Sequence, residues 1–207
     1  MLGLEDIIGL EVISSDARVM GVVEGIGIDI PSWKVLGLRV GLRRGLEESI
    51  GRRRHVFAVE RVQISTAEVD TVSDTVILQR PISSAGEVII TDDSSLVSAG
   101  GLMGMRVICR NARQIGTVDN LILDPDHGWA IPYLQVKLDK EVVESLNMRQ
   151  HFLSAPVTVI RTSDIRAMGD MIMLDITFEQ LREFLESGPS TSSGQRPAPS
   201  PNAGPPR

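Results

Sequence analysis

A stretch of this chain is written twice, and that duplication restricts its fold more than any other feature. Ile7-Ile8-Gly9-Leu10-Glu11-Val12 returns 95 positions later as Leu102-Met103-Gly104-Met105-Arg106-Val107. Asp16-Ala17-Arg18 returns as Asn111-Ala112-Arg113, Gly21 as Gly116, and Asp29 as Asp124. After one inserted residue the offset is 96: Trp33 meets Trp129, Leu38 meets Leu134, Thr66 meets Thr162 and Leu78 meets Leu174. A fixed period of this kind implies two like units. The expected division is residues 1–80, a linker 81–96, residues 97–176, a short helix 177–187 and a tail 188–207. Units of roughly 80–90 residues are small but large enough for a core of their own.

Both units read as β-structure. Met20, Val22, Glu24, Ile26, Ile28 and Ile30 alternate, as do Ile115, Thr117, Asp119, Leu121, Leu123 and Pro125. A period of two predicts strands with one buried face. Leu36, Leu38 and Val40 predict a second apolar face, with Arg39 pointing away. The segments around Pro31 and from Asp124 to Gly128 carry turn chemistry. Leu138, Val142 and Leu146 recur every four residues, as do Leu42, Leu46 and Ile50, which suggests a short helical stretch in each unit. Thr177-Phe178-Glu179-Gln180 is a capping box opening a helix, with Phe178, Leu181 and Leu185 on one face. Residues 188–207 are rich in Pro, Ser and Gly, a composition that predicts a disordered tail. The expected class is all-β: two tandem small barrels that close their own edges, plus a short C-terminal helix.

The net charge of −6 and the 3% aromatic content weigh against nonspecific attachment to nucleic acid or anionic lipid. The single cysteine, Cys109, suits a reducing compartment. No apolar run approaches the ~20 residues of a membrane span, and the first residues lack a signal-peptide pattern. A soluble cytoplasmic protein is the expectation.

No residue pattern assembles an active site. His55 and His151 are repeat equivalents, which leaves open a metal pair across the units, but polar residues entering strands is the better reading. No cysteine pair has zinc spacing, and no glycine-rich turn carries the Lys and Ser or Thr that hold phosphates. Cys109, within Val107-Ile108-Cys109, reads as a small buried residue. Glu24 and Asp119 interrupt apolar alternation at equivalent places, as carboxylates at a bulge or rim do. The expectation is a protein that is not an enzyme and uses no cofactor or metal.

Charge asymmetry is the strongest functional signal. Residues 34–61 hold eight Lys and Arg against Glu47, Glu48 and Glu60 in an otherwise acidic chain. Such a segment suits an acidic partner surface, with RNA as the competing ligand and a solvated loop as the plain alternative. Arg43, Arg44, Arg52, Arg53 and Arg54 are therefore candidate partner-binding residues. Trp33 and Trp129 join them because an indole beside a turn is a strong interface anchor, although each could equally cover its own core.

The apolar-apolar-Gly-apolar-x-Val openings, the Asp16–Gly21 and Asn111–Gly116 turns and the closing stretches 69–74 and 165–170 resemble the PRC-barrel. The tandem arrangement is most similar to archaeal double PRC-barrel proteins, some of which act in FtsZ-based cell division. The resemblance covers roughly residues 4–80 and 97–176. It implies protein–protein assembly: a cytoplasmic adaptor, homodimeric or paired with a related PRC-barrel protein. Such an adaptor would reach the FtsZ ring through a membrane-anchoring partner such as SepF. The same module occurs in a bacterial ribosome-maturation factor, which implies the alternative of an RNA-processing or ribosome-assembly role.

Overall fold

The computed structural model describes residues 1–46, 60–90, 95–146 and 156–187. The same order of elements is laid down twice. The first half runs β1 (Leu2–Gly3), α1 (Leu4–Ile7), β2 (Glu11–Ile13), β3 (Val19–Asp29), β4 (Lys34–Leu42), β5 (Arg61–Ser65), β6 (Val69–Val72) and β7 (Thr75–Leu78). The second runs β8 (Val97–Ser98), α2 (Ala99–Leu102), β9 (Arg106–Ile108), β10 (Gln114–Asp124), β11 (Ala130–Leu138), α3 (Lys140–Ser145), β12 (Val157–Arg161), β13 (Ile165–Met168), β14 (Ile172–Leu174) and α4 (Phe178–Ser187). In each half four antiparallel strands form a meander. The last strand of the half then returns parallel to the first strand of that meander, β7 on β2 and β14 on β9.

The halves are joined by reciprocal strand exchange. β1 pairs with β10 of the second half, Leu2 opposite Leu123 and Gly3 opposite Ile122. β8 pairs with β3 of the first half, Val97 opposite Ile28 and Ser98 opposite Gly27. These are the same pairs, 95 positions apart. β4 and β11 meet at Lys34 and Ala130, again repeat equivalents. Each surface is therefore matched to its own counterpart, the signature of an isologous interface. α1 packs on β10 and α2 on β3, and Ile7 and Leu102 are fully buried.

This junction overturns the expected all-β class and the pair of closed barrels. All described strands belong to one open 14-stranded sheet, running β13-β14-β9-β10-β11-β4-β3-β2-β7-β6 along its main path. Within the first half, β5 passes directly into β6 through a 3₁₀ turn, Thr66–Glu68, and the two strands do not hydrogen-bond; β12 and β13 repeat this around Thr162–Asp164. Four α-helices lie among the described residues, so the class is not all-β. The physical reason is that the apolar surface is shared. One continuous core runs through both halves, from Val12, Leu38 and Ile64 to Leu121, Leu134 and Ile160, and takes in Phe178 and Leu181 of α4.

Two local readings of strand phase also change. Val22 is exposed and Val23 buried because Glu24 is an extra residue: Val23 pairs with Val40 and Gly25 with Arg39. Asp119 is skipped in the same way between Val118 and Asn120. Leu36 is exposed and Val35 buried because Gly27 faces Gly37 and Ile28 faces Val35, leaving Leu36 unpaired. A bulge reverses which side chains point inward. The carboxylates at 24 and 119 thus sit on bulges facing solvent, and Glu24 meets Arg61 at 2.5 Å. The capping box forms as read, the Thr177 N–H donating to Gln180 Oε1 at 2.9 Å and the Gln180 N–H to Thr177 Oγ1 at 3.3 Å.

Candidate interaction surface

Equivalent positions in the two halves show which side chains the fold requires and which are particular to one half. At the turn between β2 and β3, Ala17 takes a positive φ of 58°, matched by Ala112 at 61°. The turn is held by Ser14, whose hydroxyl donates to Asp16 Oδ1 at 2.6 Å, while Asp16 also accepts from the Ile82 N–H at 3.0 Å. These two hydrogen bonds, Ser14 first, hold the Asp16 carboxyl below its ordinary value. The turn presents Arg18 in the first half and Arg113 in the second.

The surroundings of these two arginines differ. Arg113 is covered. Its guanidinium lies 3.5 Å from the centroid of the Phe178 ring, and its Nη2 donates to Ser145 Oγ of α3 at 3.0 Å. Beside it the Gln114 Nε2 donates to Asp139 Oδ2 at 2.8 Å. Arg18 lines an open cavity of about 440 Å³ with Arg43, Arg44, Gly45, Ala17, Val19, Leu46 and Ile82. Ile82 stands at the repeat equivalent of Phe178, Val19 at that of Gln114, and Arg43 at that of Asp139. Leu46 and Ile82 are buried and form an apolar floor; Arg18, Arg43 and Arg44 are exposed around it. Arg18 lies within electrostatic reach of the Asp16 carboxylate, and among the described residues Arg43 and Arg44 form no salt bridge.

The other sequence candidates fall elsewhere. Arg52, Arg53, Arg54, His55 and His151 lie outside the described residues. Trp33 and Trp129 do not gather with the arginines but sit where the halves join, each with positive φ, 50° and 59°. Trp129 is buried and Trp33 half-buried against the core. Arg18 and the floor residues Leu46 and Ile82 were not singled out from the sequence. The available signal was the exchange of Asp139 for Arg43 between otherwise equivalent positions.

A second exposed surface lies at β12, which among the described strands pairs only with β11. Val157 and Val159 face solvent there, and Phe184 of α4 is 56% exposed beside Arg161. Burial pushes the Cys109 thiol up to about 11, aided by the nearby Glu179 carboxylate. Among the described residues no group of three His, Cys, Asp or Glu side chains could hold a metal ion. No described helix is long and apolar enough to cross a membrane.

The two halves share one continuous core and differ in the side chains on their outer faces. Comparison with known families gives one match: residues 1–83 match the PRC-barrel domain. No curated protein matches the chain. A solved structure described as a putative 16S ribosomal RNA processing protein RimM from Pseudomonas aeruginosa is similar over 76% of this chain and 98% of that one. The identity is 13% and the TM-score 0.27, too low to carry an argument about function.

Proposed function

We propose that this protein is a non-enzymatic adaptor that binds partner proteins on the outer faces of a two-unit body. The observation that supports this reading is the reciprocal exchange of β1 and β8, which joins the units into one sheet and leaves the arginine-lined cavity and the β12 edge outside. Within this reading the chain works in the cytoplasm with a further copy of itself or a related PRC-barrel protein. It is recruited to the division site through SepF and, by way of SepF, the FtsZ ring. Because the twofold surfaces are occupied within the chain, such association would use another face. Affinity purification from the native host with mass spectrometry tests the reading: division proteins among the captured material support it, and capture of no protein partner removes it.

The three exposed arginines also favour a second reading, a ribosome-maturation or RNA-processing factor that grips a phosphate backbone. A gel shift with ribosomal RNA across a salt series separates the two. Absence of binding near physiological salt removes the RNA reading.

A further inference from the structure

We infer that the arginine-lined cavity of the first unit is a docking site for an acidic protein segment carrying an aromatic residue. This deepens the adaptor reading and rests on it.

The second unit contains the filled counterpart of this site. There Arg113 is stacked on the Phe178 ring at 3.5 Å. Phe178 is followed by Glu179, whose carboxylate reaches Asn111 Nδ2, the equivalent of Asp16, at 3.5 Å. The chain thus supplies its own aromatic residue to one copy of the turn; where Glu179 meets Asn111 the first unit carries Asp16, so an incoming carboxylate would be met by Arg43 and Arg44 instead. In the first unit the same arginine is present, but Ile82 replaces the ring and leaves the guanidinium in an open cavity.

The added charge is not a requirement of the fold. Position 43 is Arg in one copy and its equivalent, 139, is Asp in the other, and both end the same strand-to-turn path. The Arg43 N–H donates to Met20 O at 2.8 Å, and the Asp139 N–H donates to Ile115 O at 2.9 Å, the equivalent bond. The backbone is conserved between copies while the side-chain charge is reversed. Asp16 lies beside Arg18, while Arg43 and Arg44 add positive charge that an anion entering there would offset.

The cavity's chemistry selects among anions. Its floor is Leu46, Ile82 and Val19, which suits an apolar or aromatic side chain, and a ring can also lie over the Arg18 guanidinium as Phe178 does over Arg113. The rim guanidinium groups offer forked donors to carboxylates. Among the described residues no aromatic side chain lines the cavity to stack nucleobases. An acidic peptide with one ring satisfies both floor and rim.

The test is fluorescence anisotropy with the full chain at roughly physiological ionic strength. The probe is a labelled peptide of Asp and Glu residues around one central Phe, compared with its Phe-to-Ala version and with an oligouridylate of similar length. We expect saturable binding of the Phe peptide, weakened by ~10-fold or more in Arg43→Asp and in Arg44→Glu, and weaker binding of the Ala peptide. Arg43→Asp introduces the residue the second unit already uses there, and an unchanged melting temperature verifies its fold. Absence of peptide binding, equal binding by Arg43→Asp, or tighter binding of the oligouridylate would overturn the inference. If the peptide fails while affinity capture still returns protein partners, this site is wrong and the adaptor reading stands.

Discussion

Trp33 and Trp129 hold the two units together through their carbonyl groups, each serving the neighbour of the other. The Val35 N–H donates to Trp129 O at 2.9 Å, and the Ile131 N–H donates to Trp33 O at 2.7 Å. Both tryptophans adopt left-handed backbone, which costs a non-glycine residue of order 1 kcal/mol and persists where the surroundings enforce it. Here the enforcing element is the twofold joint itself.

The first unit expressed alone should therefore dimerise. In a fragment of residues 1–83, β3 loses β8 and β1 loses β10, but two copies restore both pairings, since Leu2–Gly3 and Val97–Ser98 are equivalents. Sedimentation equilibrium should give about twice the monomer mass, dissociating on dilution. A folded monomer at every concentration would contradict the exchange.

Alanine at Gly21 or Gly116 should damage the central strand pair. A Cβ at Gly21 would stand 2.1 Å from the carbonyl oxygen of Gly41, and one at Gly116 would stand 2.0 Å from that of Lys137. Backbone cannot yield as a flexible side chain can, so each change should cost about 1–3 kcal/mol or more. Urea denaturation measures it, and Gly169→Ala, with nothing near its Cβ, is the control.

Thr66 and Thr162 should matter for their hydroxyl groups. Both are buried at the corner between adjacent strands, and their Oγ1 atoms donate to Val35 O and Ile131 O, each at 2.8 Å. Substitution by Val keeps the shape and removes the donor, an expected loss of ~1–2 kcal/mol at either site. Serine should retain more of the stability than Val in thermal melts.

Cys109 should be inert in the native state. With its thiol raised from 9.0 to about 11, the folded protein keeps a proton that the unfolded chain releases. The contribution to stability is complete below pH ~9 and is lost as the pH rises toward 11. Cys109→Ala should abolish that part of the alkaline slope. A disulfide exchange reagent at pH 8 should react slowly with native protein and rapidly in denaturant; fast native reaction would refute the burial argument.

Much of this architecture could be read from residue patterns, and the failures have specific causes. The repeat was visible because Gly9 and Gly21 return at an offset of 95 and Trp33 at 96. The Thr177–Gln180 box was visible because capping is a local event. Strand phase failed at Val22 and Leu36 because a bulge adds one residue without a marked composition. The exchange of β1 and β8 was invisible: two-residue strands have no periodicity, and their partners lie far along the chain. The closed-barrel expectation failed for the same reason, since a pattern of short strands does not reveal whether an edge is closed or shared. Arg43 and Arg44 were found as part of a charge run, but the cavity they line with Arg18 depends on a fold that brings residues 18, 43 and 82 together.

Joining both units in one polypeptide has a consequence for valency. Two identical chains related by the same twofold would display the arginine-lined opening twice and could cross-link their ligands. Here Phe178 of the chain's own α4 lies against the equivalent arginine, Arg113, and the arginine-lined opening is framed by residues of the first half alone, so each molecule offers one. Such a molecule terminates or decorates an assembly at that face instead of extending it.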